Sequence, residues 1–368
     1  MASVRSFIRR EPVLIISVLA AAVSCAFVPP DGEYIGYIDF RTLALLYALM
    51  TVVAGLGKAG VFTALAHSLC SRAKNTRAIG IILVCLCFFS SMLITNDVAL
   101  LTFVPFSVVV LGMAGRGQDL IRIVVLQTVA ANMGSILTPV GNPQNLYLYS
   151  YYNMSVLDFL AATFPVWIVS LLLILCCCFS LPNAHLSAFL GEEPGMDHKL
   201  LWMYMALFAV CLLTVIRVLS WPVMLGIVVV VLLAFDRRIL LKADFTLLLT
   251  FVAFFIFAGN LARIDAVYGL LKSFLSGREY VASLLASQVI SNVPAALLLS
   301  GFTTNAKALL LGVDIGGLGT PIASLASLIS MKLYSHSEHA HLGKFLMEFA
   351  VINVLLLLVL SVFRSVIF

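Results

Sequence analysis

Residues 132–146 read NMGSILTPVGNPQNL, and residues 314–328 read DIGGLGTPIASLASL. The two stretches align without a gap, so that a glycine, a Thr-Pro pair and the final leucine coincide. Small polar residues also correspond, Asn142 with Ser324 and Asn145 with Ser327. Each stretch lies in an apolar context and contains proline, which removes a backbone donor and blocks the preceding helical turn. The pattern predicts two related helices, each interrupted by an unwound segment.

The composition around these stretches is that of a membrane protein. Of the 368 residues, 62% are apolar and 11% are charged, against about 45–50% and about 25% in soluble domains. Many apolar runs have roughly 17–25 residues, the length that crosses a hydrocarbon core about 30 Å thick. The net charge of +5 is small and scattered, which excludes a nucleic-acid partner. An ordinary soluble enzyme is also excluded, and the lipid bilayer is the expected surrounding.

A polar triplet, Thr95-Asn96-Asp97, separates two apolar arms at residues 78–94 and 98–113. Basic residues flank both outer ends, so both ends belong on the cytoplasmic side. Two short crossing helices or one re-entrant hairpin would satisfy this pattern. The hairpin is favoured because the triplet contains no Gly, Pro or aromatic residue and because bare backbone at depth needs a polar cavity. Ser291-Asn292-Val293 follows an apolar arm in the same way, which predicts a second hairpin.

The order of elements predicts an all-α membrane protein with about nine transmembrane helices and two re-entrant hairpins. The predicted divisions are a first repeat at 1–181 (hairpin 78–113, broken helix 119–150), a linker and connecting helix at 182–220, and a second repeat at 221–368 (hairpin 280–303, broken helix 305–331). The single connecting helix inverts the second repeat, with a cytoplasmic N-terminus and an external C-terminus. Inverted repeats with discontinuous helices indicate a secondary transporter. Four tyrosines are expected in an interfacial belt: Tyr147, Tyr149, Tyr151 and Tyr152.

Several residues in these motifs have both a functional and a structural interpretation. Asn96 and Asn292 occupy matched positions, which favours a binding role over that of polar contacts between helices. The loops Thr138–Asn145 and Thr320–Ser327 are interpreted as binding loops, with simple kinks as the alternative. Asp97 and Asp314 are carboxylates at membrane depth, where ionisable groups are costly and usually functional. Capping of the second hairpin arm is a further role open to Asp97.

At these motifs the sequence resembles the ion transporter superfamily that includes divalent-anion:sodium symporters, citrate–metal transporters, arsenite/antimonite permeases and sodium/proton antiporters. In that superfamily, hairpin tips similar to Ser-Asn-Thr and two unwound helices form the substrate and cation sites. Thr95, Asn96 and Asp97 match the first tip, and Ser291, Asn292 and Val293 match the second. The dicarboxylate symporters would have Thr at the positions of Asp97 and Val293. Asn96-Asp97 followed by an apolar arm, and Asp314 before the glycine and Thr-Pro motif, look more like the arsenite permease branch. The resemblance also implies a homodimer and an elevator movement.

The motifs and the resemblance together give two sets of candidate site residues. The expected substrate-binding residues are Thr95, Asn96, Asp97, Ser291, Asn292, Val293, Thr138, Pro139, Asn142, Thr320 and Pro321. The expected residues for cation or proton coupling are Asp97, Asn96, Gly134, Asn145, Asn292, Asp314, Gly316, Ser324 and Ser327. No organic cofactor is expected, and a sodium ion at the hairpin tips is the candidate metal.

The sequence therefore predicts a secondary active transporter in the cytoplasmic membrane, which moves a small anion or oxyanion with a sodium or proton gradient. The alternatives are a sodium/proton antiporter and an arsenite-type efflux permease. A membrane-embedded enzyme is disfavoured, because the sequence contains neither a His/Glu metal motif nor a nucleophile elbow.

Overall fold

The computed structural model describes residues 11–184, 195–337 and 340–368. Regular secondary structure within these ranges consists of helices alone. The helices of the first half are α1 Pro12–Phe27, α2 Tyr34–Tyr37, α3 Phe40–Lys58, α4 Val61–Cys70, α5 Thr76–Ile94, α6 Asn96–Met113, α7 Leu120–Gly134, α8 Pro143–Tyr151 and α9 Val156–Cys178. The basic residues before α1 and the acidic residues of the 182–199 linker lie partly or wholly outside the described ranges.

The second half begins with the connecting helix and then repeats the order of the first half. Its helices are α10 His198–Val215, α11 Trp221–Phe235, α12 Phe245–Ala262, α13 Asp265–Leu275, α14 Glu279–Ile290, α15 Asn292–Ser300, α16 Ala306–Ile315, α17 Leu325–Ser335 and α18 Leu342–Ile367. The pairs α5/α6 and α14/α15 are the predicted hairpins, and α7/α8 and α16/α17 are the predicted broken helices. The opposite orientation of the two halves in the bilayer stays a prediction.

The described residues contain eight helical segments that are long and apolar enough to cross a membrane, together with shorter apolar helices. The prediction of an all-helical, multi-pass membrane protein is thus confirmed. The arms of the first hairpin have 19 and 18 residues and reach the length of a span. The arms of the second have 12 and 9 residues, about 18 and 14 Å at 1.5 Å per residue, which is less than the hydrocarbon thickness.

A short amphipathic helix precedes each hairpin, α4 in the first half and α13 in the second. The corresponding α13 carries its apolar residues at Val267, Leu270, Leu271 and Phe274, the spacing of one helix face. Because α13 is short and charged, it resembles a loop between spans when hydropathy alone is considered.

The first broken helix lies at the centre of the protein. Nearly all side chains of α7 are buried, whereas α18 exposes most of its surface. The prediction of an interfacial tyrosine belt is wrong for α8, because the side chains of Tyr147 and Tyr149 are only 3% and 2% exposed. The Tyr147 hydroxyl lies 2.7 Å from the Ser300 hydroxyl, and Tyr152 donates to the carbonyls of Ser300 and Thr303. These phenols find their partners inside the protein, so they need no interfacial water.

Candidate functional site

The two hairpin tips have the same unusual backbone conformation. Thr95 has φ 66° and ψ 151°, and Ser291 has φ 73° and ψ 154°. This region is almost restricted to glycine, and a side chain held there costs of order 1–3 kcal/mol. Such strain persists only where the surrounding structure enforces it and is concentrated at binding and switch sites. The surrounding structure therefore holds both tips in one specific backbone conformation.

An asparagine follows the strained residue at each tip and begins the second arm. The Asn96 Oδ1 accepts the Asp97 N–H at 2.9 Å, and the Asn292 Oδ1 accepts the Val293 N–H at 2.9 Å. Both asparagines are buried, at 5% and 4% exposure. Each amide thereby satisfies one of the free N–H groups at a helix N-terminus. Among the described residues the Asp97 carboxylate accepts no such bond, so this cap is made by Asn96.

The two broken helices unwind in closely similar ways. Each passes through a short 3₁₀ turn and then an extended residue before the second half-helix begins. The extended residue is Asn142 in the first, with φ −141° and ψ 145°, and Ser324 in the second, with φ −140° and ψ 135°. The alignment of 132–146 with 314–328 thus describes equivalent backbone positions.

Hydrogen bonds fasten each broken helix to the hairpin of its own half. The Thr138 hydroxyl donates to the Met92 carbonyl, and the Thr320 hydroxyl donates to the Gln288 carbonyl at 3.0 Å. Both acceptors lie four residues before the tip asparagine. Gln288 adds bonds from its Nε2 to the carbonyls of Gly316 and Leu318 at 2.7 and 3.0 Å.

Two glycines allow the hairpin arms to approach the broken helices closely. A Cβ at Gly134 would lie 2.0 Å from the Phe88 carbonyl oxygen, and one at Gly316 would lie 2.9 Å from the Ser287 Cβ. The carbonyls of both glycines are already hydrogen-bonded, Gly134 from the Trp167 indole at 3.2 Å and Gly316 from Gln288. These contacts give both glycines a packing role, and a carbonyl keeps one lone pair for a further ligand.

The Asn132 side chain connects three elements: α7, the first hairpin tip and the second broken helix. Its Oδ1 accepts from the Asn96 Nδ2 at 3.0 Å and from the Ser324 hydroxyl at 2.9 Å. Its Nδ2 donates to the Ser327 hydroxyl at 3.4 Å. The amide of α7 therefore connects the first hairpin tip to the unwound segment of the second broken helix. We call these four residues the Asn132 cluster.

Asp314 occupies the position equivalent to Asn132, and its surroundings are different. The side chains of Gln144 and Asn145 interact with its carboxylate, but neither reaches hydrogen-bond geometry. Among the described residues, both Asp314 oxygens are buried without a hydrogen-bond partner, as is the Oδ1 atom of Asn145. Asn292 lies close by, because its Nδ2 would be 3.0 Å from a Cβ at the neighbouring Gly317. We call Asp314 with Gln144 and Asn145 the Asp314 cluster.

A cavity of about 380 Å³ lies where the two hairpin tips approach each other. Asp97 of the first tip and Val293 and Pro294 of the second tip line it. The remaining wall comes from α1, α12 and α17. The charged residues in this lining are Glu11, Asp97, Asp244 and Lys332.

The charges of the cavity lining nearly cancel. Three carboxylates and one ammonium give a formal charge of −2. The N-terminal ends of α1, α6, α12, α15 and α17 also meet here, and each supplies roughly +0.5 of a charge, about +2.5 together. Burial, with the neighbouring Asp244 as a smaller cause, raises the pKa of Glu11 above its ordinary value, although Lys332 opposes this shift. A cavity with donors, acceptors and little net charge suits a polar, uncharged solute.

The expected substrate residues fall into separate places in the structure. Asp97 and Val293 line the cavity, whereas Asn96 and Asn292 act as caps behind it. Pro139 and Asn142 are buried in the unwound segment before α8, and Ser291 is buried with its hydroxyl 3.4 Å from the Ala323 carbonyl. The remaining four are partly or fully exposed and do not line the cavity: Thr95, Thr138, Thr320 and Pro321.

Five of the nine expected coupling residues lie in the two clusters, namely Asn96, Ser324 and Ser327 in the Asn132 cluster and Asn145 and Asp314 in the Asp314 cluster. The other four lie outside both clusters: Asp97 in the cavity lining, Gly134 and Gly316 at the close helix contacts, and Asn292 at the second tip. Asn132 and Gln144 were missed as site residues, although the aligned motifs contain both. The cavity residues Glu11, Asp244 and Lys332 were also missed, and no local pattern marks them.

Comparison with known proteins agrees with this architecture. The family model described as "citrate transporter" matches residues 7–310. An uncharacterized transporter of Methanocaldococcus jannaschii is 32% identical over 91% of this chain and 92% of its own length. The silicon efflux transporter LSI3 of rice (Oryza sativa subsp. japonica) is 30% identical over 44% of this chain and 34% of its own length.

A solved structure shares the fold. The YdaH transporter of Alcanivorax borkumensis, described as having an unusual topology, superposes with a TM-score of 0.50, 13% sequence identity and 96% coverage of both chains. The family model matches most of the chain, and the relative from Methanocaldococcus jannaschii covers nearly all of it. Both matches support the same family. The chain belongs to the citrate transporter family and is a membrane transporter, not an enzyme.

Proposed function

We propose that this transporter is a secondary active permease for a small oxyanion or its protonated oxyacid, driven by a sodium or proton gradient through an elevator movement. The observation that carries the proposal is the meeting of both hairpin tips at one cavity of about 380 Å³. Paired half-helices around one polar site are characteristic of secondary transporters. A homodimer and a multi-pass location in the cytoplasmic membrane complete the proposal.

The near-neutral cavity favours the protonated oxyacid over a multiply charged anion. Its lining includes a single cationic side chain, Lys332, against three carboxylates. A free polyanion would leave Asp97 facing another negative charge at short range. A hydroxylated, uncharged solute can donate to the carboxylates and accept from the helix N-termini. The rice relative is named as a silicon efflux transporter, and silicic acid is such a solute at neutral pH.

The Asp314 cluster supports the coupling part of the proposal. An ionised carboxylate that is buried without a partner is too costly to persist, so Asp314 needs a proton or a bound cation. Carboxylate and amide oxygens are suitable ligands for a hard cation, and Asn145 beside Asp314 has a buried Oδ1 without a partner among the described residues. Exchange of a proton for sodium at Asp314 would then couple the gradient to the position of the tips.

Counterflow in proteoliposomes tests the substrate class. Vesicles loaded with unlabelled solute should accumulate labelled silicic or arsenous acid, while labelled citrate should exchange at background level. Asn96→Ala and Asn292→Ala should each abolish exchange, and each should also lower the melting temperature because a hairpin arm loses its buried cap. Exchange of citrate alone would assign the cavity to a polyanion and contradict the proposal.

A sodium/proton antiporter is the second candidate, and the unpaired oxygens of Asp314 favour it. The two functions differ in one assay. Addition of sodium to vesicles without any oxyacid should change the internal pH if the chain is an antiporter. A coupled oxyacid permease should show a pH change only when the solute is present.

A further inference from the structure

A groove of about 630 Å³ opens on the side of the protein, away from the hairpin tips. The start of α7, the end of α9 and the first turns of α18 form its walls. Its polar end is lined by Arg122, Ser180, Lys344 and Glu348, and its apolar length by residues such as Leu126 and Val351. None of these residues belongs to the cavity or to the two clusters.

The polar end of the groove has an excess of positive charge. Arg122 forms an ion pair with Glu348, and these side chains are 42% and 23% exposed. The same guanidinium contacts the carbonyl and the hydroxyl of Ser180, each at 3.4 Å. Lys344 lies one turn before Glu348, is exposed, and forms no ion pair with any described residue. Two cations against one carboxylate leave one positive charge unmatched.

The apolar length of the groove continues along the helix axes from this charged end. Leu126 follows Arg122 by one turn, and Val351 follows Lys344 by about two turns, or about 10 Å. Met347 and Val351 are 67% and 62% exposed, so their side chains face whatever fills the groove. The groove thus has a charged end beside helix termini and an apolar channel behind it. An amphiphile with an anionic head group fits this arrangement.

We propose that this groove binds an anionic phospholipid, with the lipid phosphate between Arg122 and Lys344 and an acyl chain against Leu126 and Val351. Basic pockets between transmembrane helices recognise anionic head groups in this way. Arg122 is a suitable phosphate ligand because its planar guanidinium offers several fixed donors. A soluble phosphate would use the charged end alone and would leave the apolar length uncovered.

Melting of the detergent-purified protein tests this site, with phosphatidylglycerol and phosphatidylcholine of identical acyl chains as probes. Phosphatidylglycerol should raise the melting temperature, because a ligand that binds the native state stabilises it. Lys344→Gln should weaken phosphatidylglycerol binding about fivefold, the effect of removing one cation near a lipid surface. Lys74→Gln, which removes an exposed cation in the loop before α5, is the control and should leave binding unchanged. Glu348→Gln should strengthen binding.

Four outcomes would overturn the proposal. Equal shifts with phosphatidylcholine would reduce the site to an apolar groove, and an equal shift with glycerol 3-phosphate would make it a site for free phosphate. An equal loss in Lys344→Gln and Lys74→Gln would indicate a general effect of surface charge. A shift that depends on protein concentration and not on lipid would assign the groove to a second copy of the chain. If a variant melts at too low a temperature for this assay, native mass spectrometry of bound lipid gives the same comparison.

Discussion

Asn132 and Asp314 occupy equivalent positions in the two broken helices, yet among the described residues the amide has three hydrogen-bonding partners and the carboxylate has none. The backbone around them is closely matched, so the difference arises from side chains alone. The amide of the first broken helix is satisfied by the protein itself, and the buried carboxylate of the second is not.

Asp314→Asn should remove the dependence of stability on sodium. If the wild-type protein binds sodium at the Asp314 cluster, its melting temperature rises with sodium concentration. At a hundredfold excess over Kd, bound sodium raises the free energy of unfolding by about 2.7 kcal/mol. The variant should melt at one temperature throughout a sodium titration in differential scanning fluorimetry. Asp244→Asn, which changes a cavity carboxylate outside the cluster, should keep the sodium response. A full response in Asp314→Asn would place the cation elsewhere.

Asp97→Asn should separate coupling from exchange. The amide keeps the shape of the protonated acid, and the Asn96 cap does not involve the Asp97 side chain. Gradient-driven accumulation in proteoliposomes should fall to background, whereas exchange of solute across the membrane should continue. Asp158→Asn, at an exposed position at the start of α9, should behave as the wild type. Accumulation by Asp97→Asn with unchanged pH dependence would show that Asp97 has no part in coupling.

Gly134→Ala should destabilise the protein. The added methyl group would lie 2.0 Å from the Phe88 carbonyl oxygen, and overpacking of this kind costs about 1–3 kcal/mol or more. A lower melting temperature and a lower yield of monodisperse protein are expected in size-exclusion chromatography. Gly226→Ala is the matched control in a helix interior, since a Cβ there meets nothing within 4 Å. Equal behaviour of the two variants would contradict the packing of α5 against α7.

Ser71 and Ser276 offer a direct test of inverted topology. Each is exposed and directly follows the amphipathic helix of its half, α4 or α13. In a background without native cysteines, Ser276→Cys should react with an external impermeant thiol reagent and Ser71→Cys should not. This expectation follows from the charge distribution, which predicts a cytoplasmic Ser71 loop. Reaction of both positions from the same side would rule out inversion.

The sequence was sufficient to predict the helical class, the hairpin tips and the broken helices, because each has a local cause. Proline interrupts a helix wherever it lies, and an asparagine at a helix start caps it regardless of tertiary contacts. The internal alignment even paired Asn132 with Asp314. The cavity could not be predicted in this way, because Glu11, Asp244 and Lys332 come together only through the packing of α1 and α12 against the tips. The same reason explains the tyrosines of α8, whose burial depends on helices distant in sequence.

The bonds from Thr138 to Met92 and from Thr320 to Gln288 have a mechanical consequence. Each hairpin would have to break its attachment to its own broken helix before it could open by itself, and the Met92 or Gln288 carbonyl would lose its partner. Displacement of hairpin and broken helix together leaves these bonds intact. Such a displacement would be resisted where these elements pack against the rest of the protein, as α15 packs against α12 and as α7 packs against α9 and α18. The side chains at these helix contacts, rather than torsions within the hairpins, would then set the speed of the proposed elevator movement.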